Sequence, residues 1–176
     1  MEFKSNKPDY LQKYKNISRG FFVTSAILAV VAILNPILLI AAVIFLILGI
    51  LRYREARSDF NTFLDKGIEF YESKNFVQAE IELIKALELD KKKTKAIILL
   101  ALVKYELKEY KDAIEFFESL PQEKINQELD LNIKLVEAYL NEKEFIKAEK
   151  LLRKLQKIQP KSEYIANGLK KCEAKE

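Results

Sequence analysis

The chain contains no histidine and no tryptophan, one cysteine, one methionine, and only four glycines and four prolines in 176 residues. Without histidine, the commonest general base and the commonest metal ligand are missing. The lone Cys172 excludes an intrachain disulfide and every multi-cysteine zinc site. Gly20, Gly49, Gly67 and Gly168 stand far apart, so no glycine-rich phosphate loop can form. These absences argue against catalysis, a metal centre, a cofactor and a small-molecule substrate. They leave a protein that acts by binding.

Charge is abundant but unevenly placed. Of the formal net charge of +4, residues 1–20 carry +3 and residues 52–59 carry +1, while the chain from Phe60 onward is neutral. A nucleic-acid binder would gather its positive charge on the folded domain. Here it flanks an apolar segment instead, so no nucleic acid is expected. Further on, Glu142, Lys143, Glu144, Lys147 and Glu149 alternate in sign, as on solvated helix faces.

The apolar segment, Phe21 to Leu51, runs 31 residues without a charge, and 21 of them are Leu, Ile, Val or Phe. At about −0.4 kcal/mol each, these contribute on the order of −8 kcal/mol to membrane insertion. The stretch is too long for a signal peptide and no small-residue cleavage pattern follows it. It reads as a retained transmembrane segment in the cell membrane. Two forms stay open. One helix would be about 46 Å long against an apolar layer of about 30 Å, tilted and kinked at Pro36. A hairpin of 20–34 and 36–51 would turn at Asn35 and Pro36, with Asn35 capping the second helix and Pro36 in its first position. Basic residues on both flanks (Lys13, Lys15, Arg19; Arg52, Arg54, Arg57) favour the hairpin, with both ends cytoplasmic. Each arm would be only about 23 Å, so the bilayer would thin or the arginines snorkel. Ala29, Ala32, Ala41 and Ala42 suit a helix contact, either within the hairpin or in a homo-oligomer. Residues 1–20 form a basic leader. Pro8 suits a helix start and Tyr10, Tyr14 and Ile17 share a face, as in an interfacial helix. A frayed basic tail is the other possibility.

After the basic linker 52–59, amphipathic helices joined by short turns begin to repeat. Phe76-Val77-Gln78-Ala79, Tyr110-Lys111-Asp112-Ala113 and Phe145-Ile146-Lys147-Ala148 align at spacings of 34 and 35. Polar turns precede them at Lys74-Asn75, Lys108-Glu109 and Lys143-Glu144, and Leu83, Phe117 and Leu152 follow at core spacing. Such a period signals stacked helical repeats.

This pattern resembles the tetratricopeptide repeat, a helix–turn–helix unit. The resemblance covers 60–162, in units 60–93, 94–127 and 129–162. The first unit matches best, through Phe63, Gly67, Phe70, Phe76, Ala79, Leu83 and Ala86. The second has Ala101, Tyr110, Ala113 and Phe117 in register, with Ile97 where an aromatic is usual. The third has Tyr139, Phe145, Ala148, Leu152 and Pro160, with Asn132 for the aromatic and Val136 for the small residue. Residues 163–176 supply a capping helix, with Tyr164, Ile165 and Leu169 inward, as a terminal repeat needs. The expected fold is all-α: a transmembrane hairpin, a three-repeat solenoid and a cap.

The resemblance also implies a concave face lined by the inner helices. Its positions here are Leu64, Ile68 and Tyr71, then Ile98, Leu102 and Tyr105, then Ile133, Glu137 and Leu140, headed by Asn61, Lys95 and Asp130. One branch of the family clamps acidic chaperone tails there with Lys, Asn and Arg. Those side chains are absent at the matching Leu64, Ile68, Leu102, Ile133 and Glu137. An apolar stripe remains, suited to an amphipathic helix of a partner or to the chain's own leader. In the plainer alternative these residues are core. The expected function is a membrane-anchored scaffold that holds partner proteins beside the bilayer and helps assemble a membrane complex. The alternative is a client-binding, chaperone-like adaptor of a translocation machine. Richness in Lys and Ile fits AT-biased coding and a bacterial source.

Overall fold

The computed structural model of the chain describes residues 8–13, 18–31, 37–56, 58–91 and 93–174. Among them every regular element is helical, so the fold is all-α. The described part of the leader, 8–13, forms one 3-10 turn, Asp9–Leu11, after which Gln12 is extended. Tyr14 and Ile17 lie outside the described residues.

Helices α1, Ser18–Val31, and α2, Ile37–Ala56, pack side by side as an antiparallel hairpin. The Ser25 hydroxyl donates to the Ala42 carbonyl at 3.0 Å, and the rings of Phe21 and Phe45 lie 6.0 Å apart. Among the described residues no helix is long and apolar enough to cross a membrane. The expected spanning arms are therefore not seen among the described residues: described α1 has 14 residues, about 21 Å, and α2 turns charged at Arg52, leaving an apolar 37–51 of about 22 Å against an apolar layer of about 30 Å. The expected turn residues Asn35 and Pro36 lie outside the described residues.

Because charge alone does not end a helix, α2 runs through Arg52 and Arg54 to Ala56. Helix α3, Asp59–Glu72, starts almost at once. Ser58 caps it by accepting from the Asn61 amide at 3.3 Å, while the Asn61 side chain donates to the Glu55 carbonyl at 2.8 Å. Asn61 is thus a clasp between hairpin and repeats.

From here the helices pair. Helix α4, Phe76–Leu89, lies on α3; α5, Thr94–Glu106, pairs with α6, Tyr110–Ser119; α8, Leu129–Asn141, pairs with α9, Phe145–Ile158; and α10, Glu163–Glu173, covers α9. Gly67 lets α3 and α4 close: a Cβ there would lie 2.7 Å from Leu83. The core runs through Ile68, Leu83, Leu99, Phe117, Val136 and Leu152, all fully buried.

The three inter-helix turns share one backbone design. Lys74, Lys108 and Lys143 hold φ of 60°, 64° and 62°. Their amides return to Tyr71, Tyr105 and Leu140, and the next amides, of Asn75, Glu109 and Glu144, reach back to Phe70, Lys104 and Tyr139. Each is a Schellman cap with lysine in place of the usual glycine. The following helix then begins immediately, with Ala79, Ala113 and Ala148 donating to the carbonyls of Asn75, Glu109 and Glu144.

The units differ where proline intervenes. Leu120, forced extended (ψ 146°) ahead of Pro121, ends α6 after 10 residues. A short helix, α7, Gln122–Gln127, fills the gap. The buried Asn132 side chain donates to the Ile125 carbonyl at 2.6 Å and the Glu128 carbonyl at 3.1 Å. It stands where an aromatic was expected because it closes the end of α7.

Candidate partner-binding groove

The inner helices α3, α5 and α8 place the expected groove residues on neighbouring faces, but not equally open. Leu64, Ile68, Ile98 and Leu102 are buried in the continuous core. Tyr71, Tyr105 and Leu140 are half-buried against it. Ile133 and Glu137 on α8 are also half-buried.

Part of this cover comes from the leader. Its 3-10 turn packs on α5, and Tyr10 is only 6% exposed. Three polar contacts hold the segment. The Tyr10 hydroxyl donates to the Asp130 carboxylate at the head of α8. The Lys95 ammonium on α5 donates to the Gln12 carbonyl. Lys13 pairs with Glu69 on α3 at 3.1 Å. Leu11 is half-buried against the same core. A remaining cavity of about 170 Å³ is bounded by Asp9, Tyr10, Lys95, Ile98, Lys124 and Glu128.

The electrostatics follow from phenols set beside carboxylates. Burial, then the Asp130 bond, hold the Tyr10 phenol far above its ordinary value. Burial, then Glu106 and Asp130, push Tyr71 up to about 12. Burial lowers the Lys95 ammonium, with Asp65 and Asp9 opposing. Burial and the neighbouring Asp130 and Asp9 raise the Glu128 carboxyl. At the far end, Tyr105 donates to Glu137, and Tyr164 on α10 bonds to the same carboxylate. Lys134 lies over the Tyr105 ring, 4.2 Å from its centre. A larger opening of about 520 Å³ there is lined by Tyr105, Glu137, Leu140, Asn141, Phe145 and Lys171.

The rim carries the carboxylates Glu69, Glu106, Glu128, Asp130 and Glu137 among the lysines Lys95, Lys124, Lys134 and Lys171. Phenol and amide donors find acceptors on such a mixed rim. Another cavity, about 620 Å³, opens elsewhere, between Leu87, Ile97 and Phe116 on α4, α5 and α6. Among the described residues no cluster of Cys, Asp or Glu could hold a metal ion.

Sequence reasoning placed Lys95 and Asp130 on the inner helices without giving them a role. It did not find Glu69, whose partner Lys13 lies 56 positions away. Tyr164, expected inward, is 37% exposed, while its hydroxyl bonds to Glu137. No protein-family model, curated protein or solved structure matches this chain.

Proposed function

We propose that this chain is a membrane-attached adaptor built on tetratricopeptide-like repeats. Hairpin α1–α2 beds in the apolar layer of a membrane from one side. Three helix pairs capped by α10 hold a partner protein beside it. The observation that carries this reading is the hairpin surface. Val23, Ile27 and Val30 on α1, and Ile40, Ile44 and Ile47 on α2, all stand exposed. Helices apolar on every side belong in a core or in lipid. Arg19 at one end of the hairpin and Arg52 and Arg54 at the other suit lipid headgroups on a single face. The positive-inside rule makes that face cytoplasmic, and the repeats with it.

Three Schellman turns in step with the 34- and 35-residue sequence period support the repeat reading. The groove, filled in part by a peptide segment, supports binding without turnover. Mixing the full chain with liposomes and floating it on a density gradient tests the anchor. Wild type is expected to rise with lipid, and Ile44→Glu with Ile47→Glu to stay below with its helical spectrum retained. Wild type left in the dense fraction would defeat the membrane reading. A photo-crosslinking residue at half-exposed Ile133 tests the groove in intact cells. A discrete protein adduct is expected; its absence under conditions where the protein functions counts against partner binding.

A further inference from the structure

We infer that the seat of Tyr10 is a receptor site for a Tyr-Leu-x-Lys segment that enters as a 3-10 turn and leaves in extended form, and that the chain's own leader fills it as a displaceable ligand. The inference deepens the partner-binding reading and rests on it, but not on the membrane anchor.

The contacts have the character of peptide recognition, not of a core element. Of the leader residues described, only Tyr10 is buried. Leu11 is half-buried, and Asp9, Gln12 and Lys13 are exposed. Among its described residues the leader forms only the single 3-10 turn. Each inner helix supplies one polar contact to it: Asp130 to the phenol, Lys95 to a main-chain carbonyl, and Glu69 to the lysine. A phenol in an apolar seat with a carboxylate at its base fixes one residue type. A cation bonded to the Gln12 carbonyl, two residues on, fixes the extended backbone that follows the 3-10 turn. Glu69 then selects a positive charge at the third position after the tyrosine. Charge complementarity is local: Lys13 of the seated segment meets Glu69, while residues 8–13 as a whole are neutral through Asp9. A cavity of about 170 Å³ adjoins Tyr10 and Ile98 beside the six described leader residues. A longer or bulkier segment of the same pattern has room to compete.

A tethered ligand has an effective concentration in the millimolar range, so the intact chain should screen its site against the same peptide added in trans. The test uses the full chain in mild detergent and a fluorescent peptide of residues 8–13, read by anisotropy. Tyr10→Ala in the protein releases the leader and leaves the seat intact. It is expected to bind the peptide at least tenfold more tightly than wild type. Adding Asp130→Asn, at an exposed position, should cancel that gain, and a peptide with Phe for Tyr should lose several-fold. Leu11→Ser with Lys13→Glu frees the leader by another route and should reproduce the gain. Equal affinity of wild type and both release variants, or binding indifferent to Asp130→Asn, overturns the inference. The Ile133 crosslink would still report on partner binding at the groove as a whole.

Discussion

The three lysines in left-handed backbone permit a prediction whose sign reverses with position. Lys74, Lys108 and Lys143 each sit near φ 60°. That conformation costs a side-chain-bearing residue about 1–2 kcal/mol. Replacement by glycine removes the cost but loosens the unfolded chain by about 0.4–1 kcal/mol. It also deletes a cation at a helix C-terminus, worth about 0.3 kcal/mol. The balance favours glycine by about 0.5 kcal/mol at each turn. The turns lie in separate helix pairs, so the gains should add to about 1.5 kcal/mol. At about 4 °C per kcal/mol for a repeat region of this size, single variants melt about 2 °C higher and the triple about 6 °C higher. Lys150 is exposed within α9 and serves as the opposite case. Lys150→Gly there should cost about 0.5–1 kcal/mol, because glycine is poor in a helix interior. Thermal melts of the full chain, followed by far-UV circular dichroism in one detergent, compare wild type and the five variants directly. If any turn variant melts lower than wild type by as much as Lys150→Gly, the positive-φ assignment and the shared turn are refuted.

Further predictions concern packing and charge. Phe117 is fully buried, so Phe117→Ala should cost about 3–5 kcal/mol in urea unfolding, whereas exposed Ile146→Ala should stay within about 0.5 kcal/mol. Gly67→Ala gains about 1 kcal/mol of helix propensity but drives a methyl against Leu83, and should lower stability by about 1 kcal/mol net. Gly20→Ala, with nothing within 4 Å, should not. Glu118 is held below the usual carboxylate range by its bond from Lys147, with burial opposing and Tyr139 assisting. A depressed carboxyl stabilises above its ordinary value of 4.5 and loses that contribution as pH falls through its folded value. Glu118→Gln should therefore flatten the acid limb of a melting-temperature profile. Lys104 is lowered by burial but raised more by Glu109 and Glu80, for a net increase. Its contribution is complete below its ordinary 10.5 and fades only above it. Lys104→Met should melt lower at pH 7, with the gap narrowing in strong alkali.

The helix pairs were legible because their apolar residues recur at helical spacing and their polar breaks recur with them. Lys74-Asn75 could be read as a turn, but its handedness could not: lysine carries no signal for positive φ, which only the hydrogen bonds from Lys74 and Asn75 reveal. Helix α7 was invisible because, among its described side chains, Ile125 alone serves the core, too little for a periodic pattern. Asn132 consequently looked like a departure from a family pattern, when its amide answers carbonyls that α7 leaves open. The end of α2 was misplaced for a simpler reason, that a change from apolar to basic marks a change of solvent and not of backbone. Tyr10 shows the limit most clearly. Its local spacing with Tyr14 and Ile17 suggested a helix face, yet its hydroxyl is satisfied by Asp130, 120 positions away. No window along the chain contains that pairing.

The hairpin is fastened to the repeats at both of its ends, and both fastenings involve α3. At the trailing end, the Asn61 side chain on α3 grips the last turn of α2 through the Glu55 carbonyl. At the leading end, Lys13 pairs with Glu69, two turns further along α3. Five peptide steps separate Lys13 from Ser18, and five steps of extended chain reach at most about 18 Å. The start of α1 therefore lies within that distance of the groove whatever path the chain takes. Under the proposed membrane attachment, a lipid surface met by Arg19 and Arg52 would lie close to the groove, and a segment reaching Tyr10's seat would come from beside the bilayer. Displacing the leader would remove the exposed Lys13–Glu69 pair and leave the Asn61 clasp, so under that proposal occupation of the groove would loosen one of the contacts that α3 makes with the chain on either side of the hairpin.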